Sequence, residues 1–247
     1  MKLDFSGRVA LVTGATRGIG SQLANDLAQL GARVLFTGTD GPSVTGFGKS
    51  LAGDGHRGFV ADFTDPAATD RFLAGLAEET RVDVLINNAG INRINAVDAV
   101  ADEDWDAVER VNLRVPLRIT RVVARAMKTN AYGRIVNIAS IFGVISKQKR
   151  ALYSMSKFGL RGLTLATAHD LAPYGVLVNS VSPGFVRTDL TDRILTAGEQ
   201  AILATQVPLG RFATPDEISR VVLFLASSLN SYITAQNIVV DGGFISA

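Results

Sequence analysis

Tyr153 and Lys157 stand four residues apart in the run Tyr153-Ser-Met-Ser-Lys157, and Ser140 closes an apolar run upstream of them. On a helix that spacing puts both side chains on one face, so a phenol and an ammonium can act on a single reacting group. A free tyrosine titrates near ~10, too high for a general acid/base at neutral pH, whereas a fixed cation beside it stabilises the phenolate. A drop of ~2–3 units corresponds to about 3–4 kcal/mol. The lysine together with a bound cationic cofactor can supply that. The same pair also decorates ordinary helices, so its meaning depends on the elements that position it.

Those elements begin with Val9–Val12, a short apolar run between Gly7 and Gly14 that reads as a strand buried on both faces. Gly14, Gly18 and Gly20 follow in the spacing G-x-x-x-G-x-G, and residues 21–30 have helical periodicity with apolar residues at 23, 27 and 30. Strand, glycine loop and helix are the order that a phosphate site needs. Glycines let the backbone come close to a pyrophosphate, and the helix N-terminus favours its charge.

Further strands are expected at residues 33–37, 56–61, 84–87, 133–140, 177–182 and 237–241, with segments between them long enough for crossover helices. Such alternation predicts a doubly wound parallel sheet of about seven strands with helices on both faces, in one domain over residues 1–247. The helix after the second strand is the weakest, because Gly41, Gly46 and Gly48 each cost roughly 1 kcal/mol against alanine, so a loop or shortened helix is expected. Residues 105–127 read as a long helix with Pro116 inside it. Proline has no N–H, which takes the usual partner from the Asn112 carbonyl and bends the helix. From about 187 to 212 the chain reads as irregular and long enough to be a mobile cover over a site. Thr214-Pro-Asp-Glu217 has the pattern of a capping box and restarts a helix.

With 247 residues, 47% of them hydrophobic, the chain can bury a substantial core. The 25 basic and 23 acidic residues nearly balance, which leaves no electrostatic footprint of a nucleic-acid binder. Cysteine is absent and histidine occurs only at 56 and 169, so neither a disulfide nor a metal site is expected. No apolar run reaches the ~20 residues of a membrane span. These features lead us to expect a soluble, cytoplasmic protein.

Taken in order, these motifs resemble the short-chain dehydrogenase/reductase family over essentially the whole chain, in its shorter single-domain type, similar to 3-oxoacyl-carrier-protein reductases. Thr13-Gly-Ala-Thr-Arg-Gly-Ile-Gly20 resembles the family's cofactor loop, Asn87-Asn-Ala-Gly90 its fourth-strand signature, and Pro183-Gly184 with Thr188 its nicotinamide-side segment. The resemblance implies a Rossmann-type fold and hydride transfer between a nicotinamide and a carbonyl or secondary alcohol, with Asn112, Ser140, Tyr153 and Lys157 as catalytic groups. Tyr153 would protonate the nascent alkoxide, Ser140 would bond the carbonyl oxygen, Lys157 would hold ribose hydroxyls, and the Asn112 carbonyl would hold a relay water. Cofactor contacts would come from Gly14, Thr16, Arg17, Gly18, Ile19 and Gly20, then Thr37, Gly38 and Thr39. Further contacts would be Asp62, Phe63, Asn88, Ala89 and Gly90, and, beside Tyr153 and Lys157, Pro183, Gly184, Val186 and Thr188. Asp62, placed by the resemblance at the adenine amino group, also reads as the start of a turn before Asp65-Pro66.

An acidic reader of the ribose 2′-hydroxyl is missing at Gly38, and Arg17, Thr37 and Thr39 can meet a 2′-phosphate, so NADP is favoured and NAD remains possible, with Asp40 as the residue that opposes a phosphate. Lys147, Lys149 and Arg150 read either as a solvated charge run or as readers of an anionic substrate. Phe142, Val144, Phe185 and Ile194 suggest apolar pocket walls. A 3-oxoacyl carrier-protein substrate is the alternative, although Ala131 and Tyr174 stand at two positions where docking cations are expected. A catalytically silent cofactor-binding regulator would be expected to lack Tyr153 or Lys157. The resemblance also implies a homotetramer.

Overall fold

A computed structural model of the chain describes residues 2–188, 191 and 195–247. Seven parallel strands lie in the order β3-β2-β1-β4-β5-β6-β7: β1 (Val9–Val12), β2 (Arg33–Gly38), β3 (Arg57–Val60), β4 (Val84–Asn87), β5 (Gly133–Ile138), β6 (Val176–Pro183) and β7 (Asn237–Val240). The doubly wound expectation is met.

Side chains of the central strands alternate between two cores, as the pleat requires. Ala10, Val12, Val34, Phe36, Val84 and Ile86 face one core, closed by Leu23 and Leu27 of α1 (Gly18–Gln29) and by Ile218 and Val222 of a C-terminal helix, Pro215–Ala226. Leu11, Leu35, Leu85 and Ile135 face the other, closed by Phe72 and Leu76 of α3 (Pro66–Ala77), Ile119, Val123 and Met127 of α5 (Val115–Thr129) and Leu171 of α6 (Ala151–Leu171). Strands apolar on both faces therefore sit in the middle of the sheet.

The segment after β2 departs from expectation, because it forms a ten-residue helix, α2 (Gly41–Ser50). Asp40 caps it by accepting from the Ser43 N–H at 2.8 Å, and a proline occupies its first turn. Gly48 also has a packing reason, since a Cβ there would lie 3.2 Å from the Phe36 ring. Close approach to β2 offsets the weak propensity.

The helix read over 105–127 is three pieces: α4 (Asp102–Glu109), a π-helical turn at Arg110–Arg114, and α5. The Val115 N–H reaches back five residues to the Arg110 carbonyl. Pro116, four residues after Asn112, has no N–H to return, and the chain answers by widening one turn rather than by breaking.

Part of the stretch read as irregular is helical: α7 (Ala197–Ala204) starts with a capping box between Thr196 and Glu199. The final helix, α8 (Pro215–Ala226), carries the box expected at Thr214 and Glu217. Among the described residues, no helix is long and apolar enough to cross a membrane.

Candidate active site

The strand order reverses between β1 and β4, and ligand crevices of open α/β sheets form beyond the strand ends at such a switch point. Three sequence segments meet there. The Thr13 hydroxyl accepts from the Asn88 and Ala89 N–H groups, both at 3.0 Å, while the Asn88 amide donates to the Thr13 and Gly14 carbonyls at 2.9 and 3.0 Å. The Gly14 N–H donates to the Thr37 hydroxyl at 2.9 Å. Gly14 and Gly18 have φ of +64° and +57°, a conformation that favours glycine. A Cβ on Gly20 would run into the Gly14 carbonyl and the Asn88 amide. The loop is thus held by its neighbours in a shape that larger residues would break.

One face of this crevice is lined by Gly14, Arg17, Gly18, Ile19, Thr37, Gly38, Thr39, Asp62, Phe63, Asn88, Ala89, Gly90 and Thr188, as the sequence suggests. Ala61, Thr64, Ile91 and Val111 join them without having been expected; nothing in their residue types marks them. Thr16 and Gly20 do not line it. Thr16 packs against Gly38 and Gly20 against the loop carbonyl, so both act by shaping the backbone. Asp62 accepts through Oδ1 from the Thr64 N–H and hydroxyl at 2.9 and 2.7 Å, so the turn reading holds beside the cleft position.

The donor set fits a dinucleotide. Helix α1 starts at Gly18 with neither a side-chain cap nor an acidic residue in its first turn, which leaves its positive end open toward an anion. Asp40, the residue that could repel a phosphate, spends its carboxylate on the Ser43 N–H and is absent from the lining. That N–H holds its pKa below the usual carboxylate range.

An adjoining face of the cleft gathers Ser140, Tyr153, Lys157, Pro183, Gly184, Val186, Thr188 and Asn92. Asn92 escaped the sequence reading, yet its Oδ1 is buried there without a partner. Ser140 ends the extended chain after β5 and accepts from the Phe142 N–H at 3.2 Å, capping a short 3₁₀ turn, Ile141–Gly143. That turn lies directly on α6, where a Cβ on Gly143 would approach the Lys157 carbonyl to 2.8 Å, and Arg161 clasps the Gly143 carbonyl at 2.6 Å. Ser140 is brought to Tyr153 by this packing. Phe142 meets the Tyr153 ring edge-on, 6.4 Å between centroids.

Asn112 is fully buried, and its side chain is spent as a clamp. It accepts from the Ile91 N–H and donates to the Ile91 carbonyl, both at 2.9 Å, and donates to the Ser156 hydroxyl at 3.0 Å. The amide thereby ties the loop after β4 to α6.

The electrostatics differ from the sequence expectation in one respect. Burial pushes the Tyr153 phenol above its ordinary value, while a hydrogen bond with Ser140 and the Arg150 charge pull it down. Lys157 is not among the groups that lower it. Its ammonium lies 5.6 Å from the Tyr153 ring centroid, donates to the Ile138 carbonyl at 2.8 Å, and is lowered by burial to about 8. Desolvation is the largest influence on the phenol, ahead of the Ser140 hydrogen bond and the Arg150 charge.

Among the expected pocket walls, Phe185 stacks on Phe212 at 5.1 Å and meets Phe244 edge-on, and it is not part of the lining that holds Tyr153. Ile194 lies outside the described residues.

Comparison with known proteins decides what such a cleft belongs to. Residues 14–245 match the family model described as enoyl-(acyl carrier protein) reductase. The 3-oxoacyl-[acyl-carrier-protein] reductase of Escherichia coli is 39% identical over 242 residues, covering 98% of each chain. A short-chain type dehydrogenase/reductase from Mycobacterium marinum superposes with a TM-score of 0.89 at 33% identity, covering 99% of this chain and 98% of that one. The chain belongs to the short-chain dehydrogenase/reductase family. A gluconate 5-dehydrogenase from Burkholderia cenocepacia, in complex with NADP and tartrate, superposes with a TM-score of 0.90 at 32% identity, over 99% of this chain and 97% of that one. Membership makes the protein an oxidoreductase that acts on CH–OH and C=O groups with a nicotinamide cofactor.

Proposed function

We propose that this short-chain dehydrogenase/reductase interconverts a carbonyl and a secondary alcohol on a small soluble substrate with NADP(H), using Tyr153 as general acid/base. The observation that carries the reading is the convergence of Ser140, Tyr153 and Lys157 on the wall that continues from the glycine-loop cleft. A bound nicotinamide supplies or accepts the hydride. In the reducing direction the Tyr153 hydroxyl gives its proton to the substrate oxygen, and Ser140 holds that oxygen by a hydrogen bond. Lys157 sits close enough to Gly90, 3.5 Å from where a Cβ would stand, to share a ligand with the loop after β4. Its depressed pKa suits it to hand a proton on near neutral pH. The Asn112 carbonyl, denied a donor by Pro116, is the place for a relay water behind the lysine.

Arg17 supports NADP over NAD. It is exposed beside Thr37, Gly38 and Thr39, takes part in none of the ion pairs among the described residues, and no carboxylate lines that end except Asp62. The Burkholderia neighbour with NADP is consistent with this. We further read residues 187–212 as the substrate cover of a single domain, because Thr188 and Thr191 already line the cleft. The exposed Leu117 of α5 and Met155, Phe158 and Leu165 of α6 suit burial between subunits of a homotetramer. A cytoplasmic location accords with the absence of cysteine.

The 39% identity with a 3-oxoacyl carrier-protein reductase supports that substrate as a second reading. Against it, Tyr174 and Ala131 replace docking cations, and the Lys128 ammonium nearby sits 4.1 Å over the Tyr174 ring. Nicotinamide absorbance with NADPH and NADH, against free ketones, diketones, sugars and 3-oxoacyl thioesters, tests both readings. Turnover confined to NADPH and free carbonyls is expected. Preference for NADH would overturn the role of Arg17, and preference for thioesters would promote the second reading.

A further inference from the structure

The loop after β4 holds a polar side chain that the proton chemistry does not use. Ile91, at its start, is fixed twice by the Asn112 side chain, which also donates to Ser156, and Ser156 donates in turn to the Tyr153 carbonyl at 2.8 Å. Just beyond, Arg93 and Asn95 are both spent on Asp104 of α4, at 3.0 and 2.8 Å. Asn92 stands between these two anchors, so hydrogen bonds on either side set its place relative to Tyr153.

Asn92 lines the same face of the cleft as Ser140, Tyr153 and Lys157. Every other polar side chain described on that face has a protein partner. Asn88 donates to the Thr13 and Gly14 carbonyls, Ser140 accepts from the Phe142 N–H and bonds Tyr153, Lys157 donates to the Ile138 carbonyl, and Thr188 and Thr191 bond each other. Among the described residues of this lining, the Asn92 amide is alone in having none. Its Oδ1 is closed off from solvent without a donor, which leaves the Nδ2 edge as the open one. An amide buried on one side at such a cost, and left unbonded on the other, is a donor held for a ligand.

We propose that Asn92 donates to a second oxygen on the substrate, so that the enzyme selects carbonyl compounds with a hydroxyl or carbonyl group near the reacting carbon over plain ketones. The proposal rests on the hydride-transfer reading and names what its substrate must carry. The space beside these groups is about 250 Å³, small for a ligand pocket, so a substrate whose reacting oxygen is at Tyr153 meets Asn92 within a few bonds. Ser140 and Tyr153 serve the reacting oxygen, and the unspent amide is left for the other. An amide N–H takes a neutral carbonyl or hydroxyl oxygen and requires no charge on it. Hydroxy ketones, diketones and sugars meet that description. The thioester carbonyl of a 3-oxoacyl group meets it as well, so the inference holds under either substrate reading.

The test uses the purified full chain with NADPH or NADH and pairs each oxygenated ketone with the plain ketone of the same carbon skeleton: hydroxyacetone with acetone, and acetoin and diacetyl with butanone. Oxygenated ketones are also more electrophilic, so the readout is the ratio of kcat/KM within a pair and its change on mutation. Wild-type ratios should exceed one. Asn92→Leu should shrink them by about 10-fold, mostly through KM for the oxygenated member, and Asn92→Gln should restore part of the loss. An equal fall for both members of a pair would mean that Asn92 only shapes the loop, which overturns the proposal, as does an unchanged ratio. Should Asn92→Leu not fold, Asn92→Ala is read in the same way, and a wild-type ratio near one overturns the proposal without any variant. Failure of every ketone with both NADPH and NADH would instead remove the hydride-transfer reading beneath it.

Discussion

The two halves of the cleft treat their polar groups in opposite ways. In the half built by β1, β2 and β4, the groups around the glycine loop close on one another: Thr13 receives two N–H groups, Asn88 feeds two carbonyls, and the Gly14 N–H is taken by Thr37, while Asn87 Oδ1 on β4 stays buried and unpaired. On the face that β5 and α6 complete, Asn92 Oδ1 from the loop after β4 is buried unpaired, Tyr153 is pushed up and Lys157 down, and outside the lining Arg150, one residue before α6, keeps two nitrogens buried and unpaired. The first half is a finished cradle for a ligand that the protein only has to hold. The second keeps unspent interactions for a substrate whose charge changes during reaction, which is where perturbed ionisations gather.

This contrast predicts that mutations in the second half act on rate and those in the first on folding and cofactor affinity. Tyr153→Phe should have the largest effect, lowering kcat by at least ~10²–10⁴-fold while NADPH titration shows near wild-type affinity. Comparable turnover in that variant would end the assignment of the general acid. Gly20→Ala should break the cradle instead, because its methyl meets the Gly14 carbonyl and the Asn88 amide. A loss of about 1–3 kcal/mol in urea unfolding is expected. A variant as stable as wild type would mean the loop is softer than its hydrogen bonds indicate.

How legible each half was follows from the same difference. The cradle could be read from the sequence because backbone geometry dictates residue type there: glycine where φ is positive or a Cβ collides. The sheet was equally plain, since strands buried on both faces are continuous apolar runs. What was missed depended on tertiary neighbours. Helix α2 looked too rich in glycine until Phe36 and the Asp40 cap were seen to hold it. The capping box at Thr196 and Glu199 carried the same signal as that at Thr214 and Glu217, but lacks the first-turn proline and the strong apolar stripe that made the latter stand out. Arg150 was visible as part of a basic run, either a solvated face or a reader of an anion, whereas the burial of two of its nitrogens is a property of the fold.

Lys157 sharpens the comparison through pH. In the folded chain it titrates near about 8, below the ordinary lysine value of 10.5, because burial disfavours its charge. Below pH 8 it is charged both folded and unfolded, and folding bears the full cost of burying that charge. Between about 8 and 10.5 the folded state has released the proton while the unfolded state still holds it, so stability rises with pH across that window. Without cofactor, the wild type should therefore gain on Lys157→Met by up to about 3 kcal/mol between pH 8 and 10.5 in urea midpoints. A constant gap would show that the lysine is better solvated than its burial implies.

The smallest effect is expected at Arg17, among the described residues the one exposed cation that lines the cleft on the cradle side. Its guanidinium is solvated before it meets a 2′-phosphate, so the net gain is modest, about 10-fold in KM for NADPH. Arg17→Ala should leave kcat and unfolding unchanged and narrow the NADPH-to-NADH preference by that factor. The measurement also checks the contrast itself. A cation that is spent only on binding should move KM alone, whereas a fall in kcat would place Arg17 among the groups whose interactions change during the reaction and would blur the line between the halves.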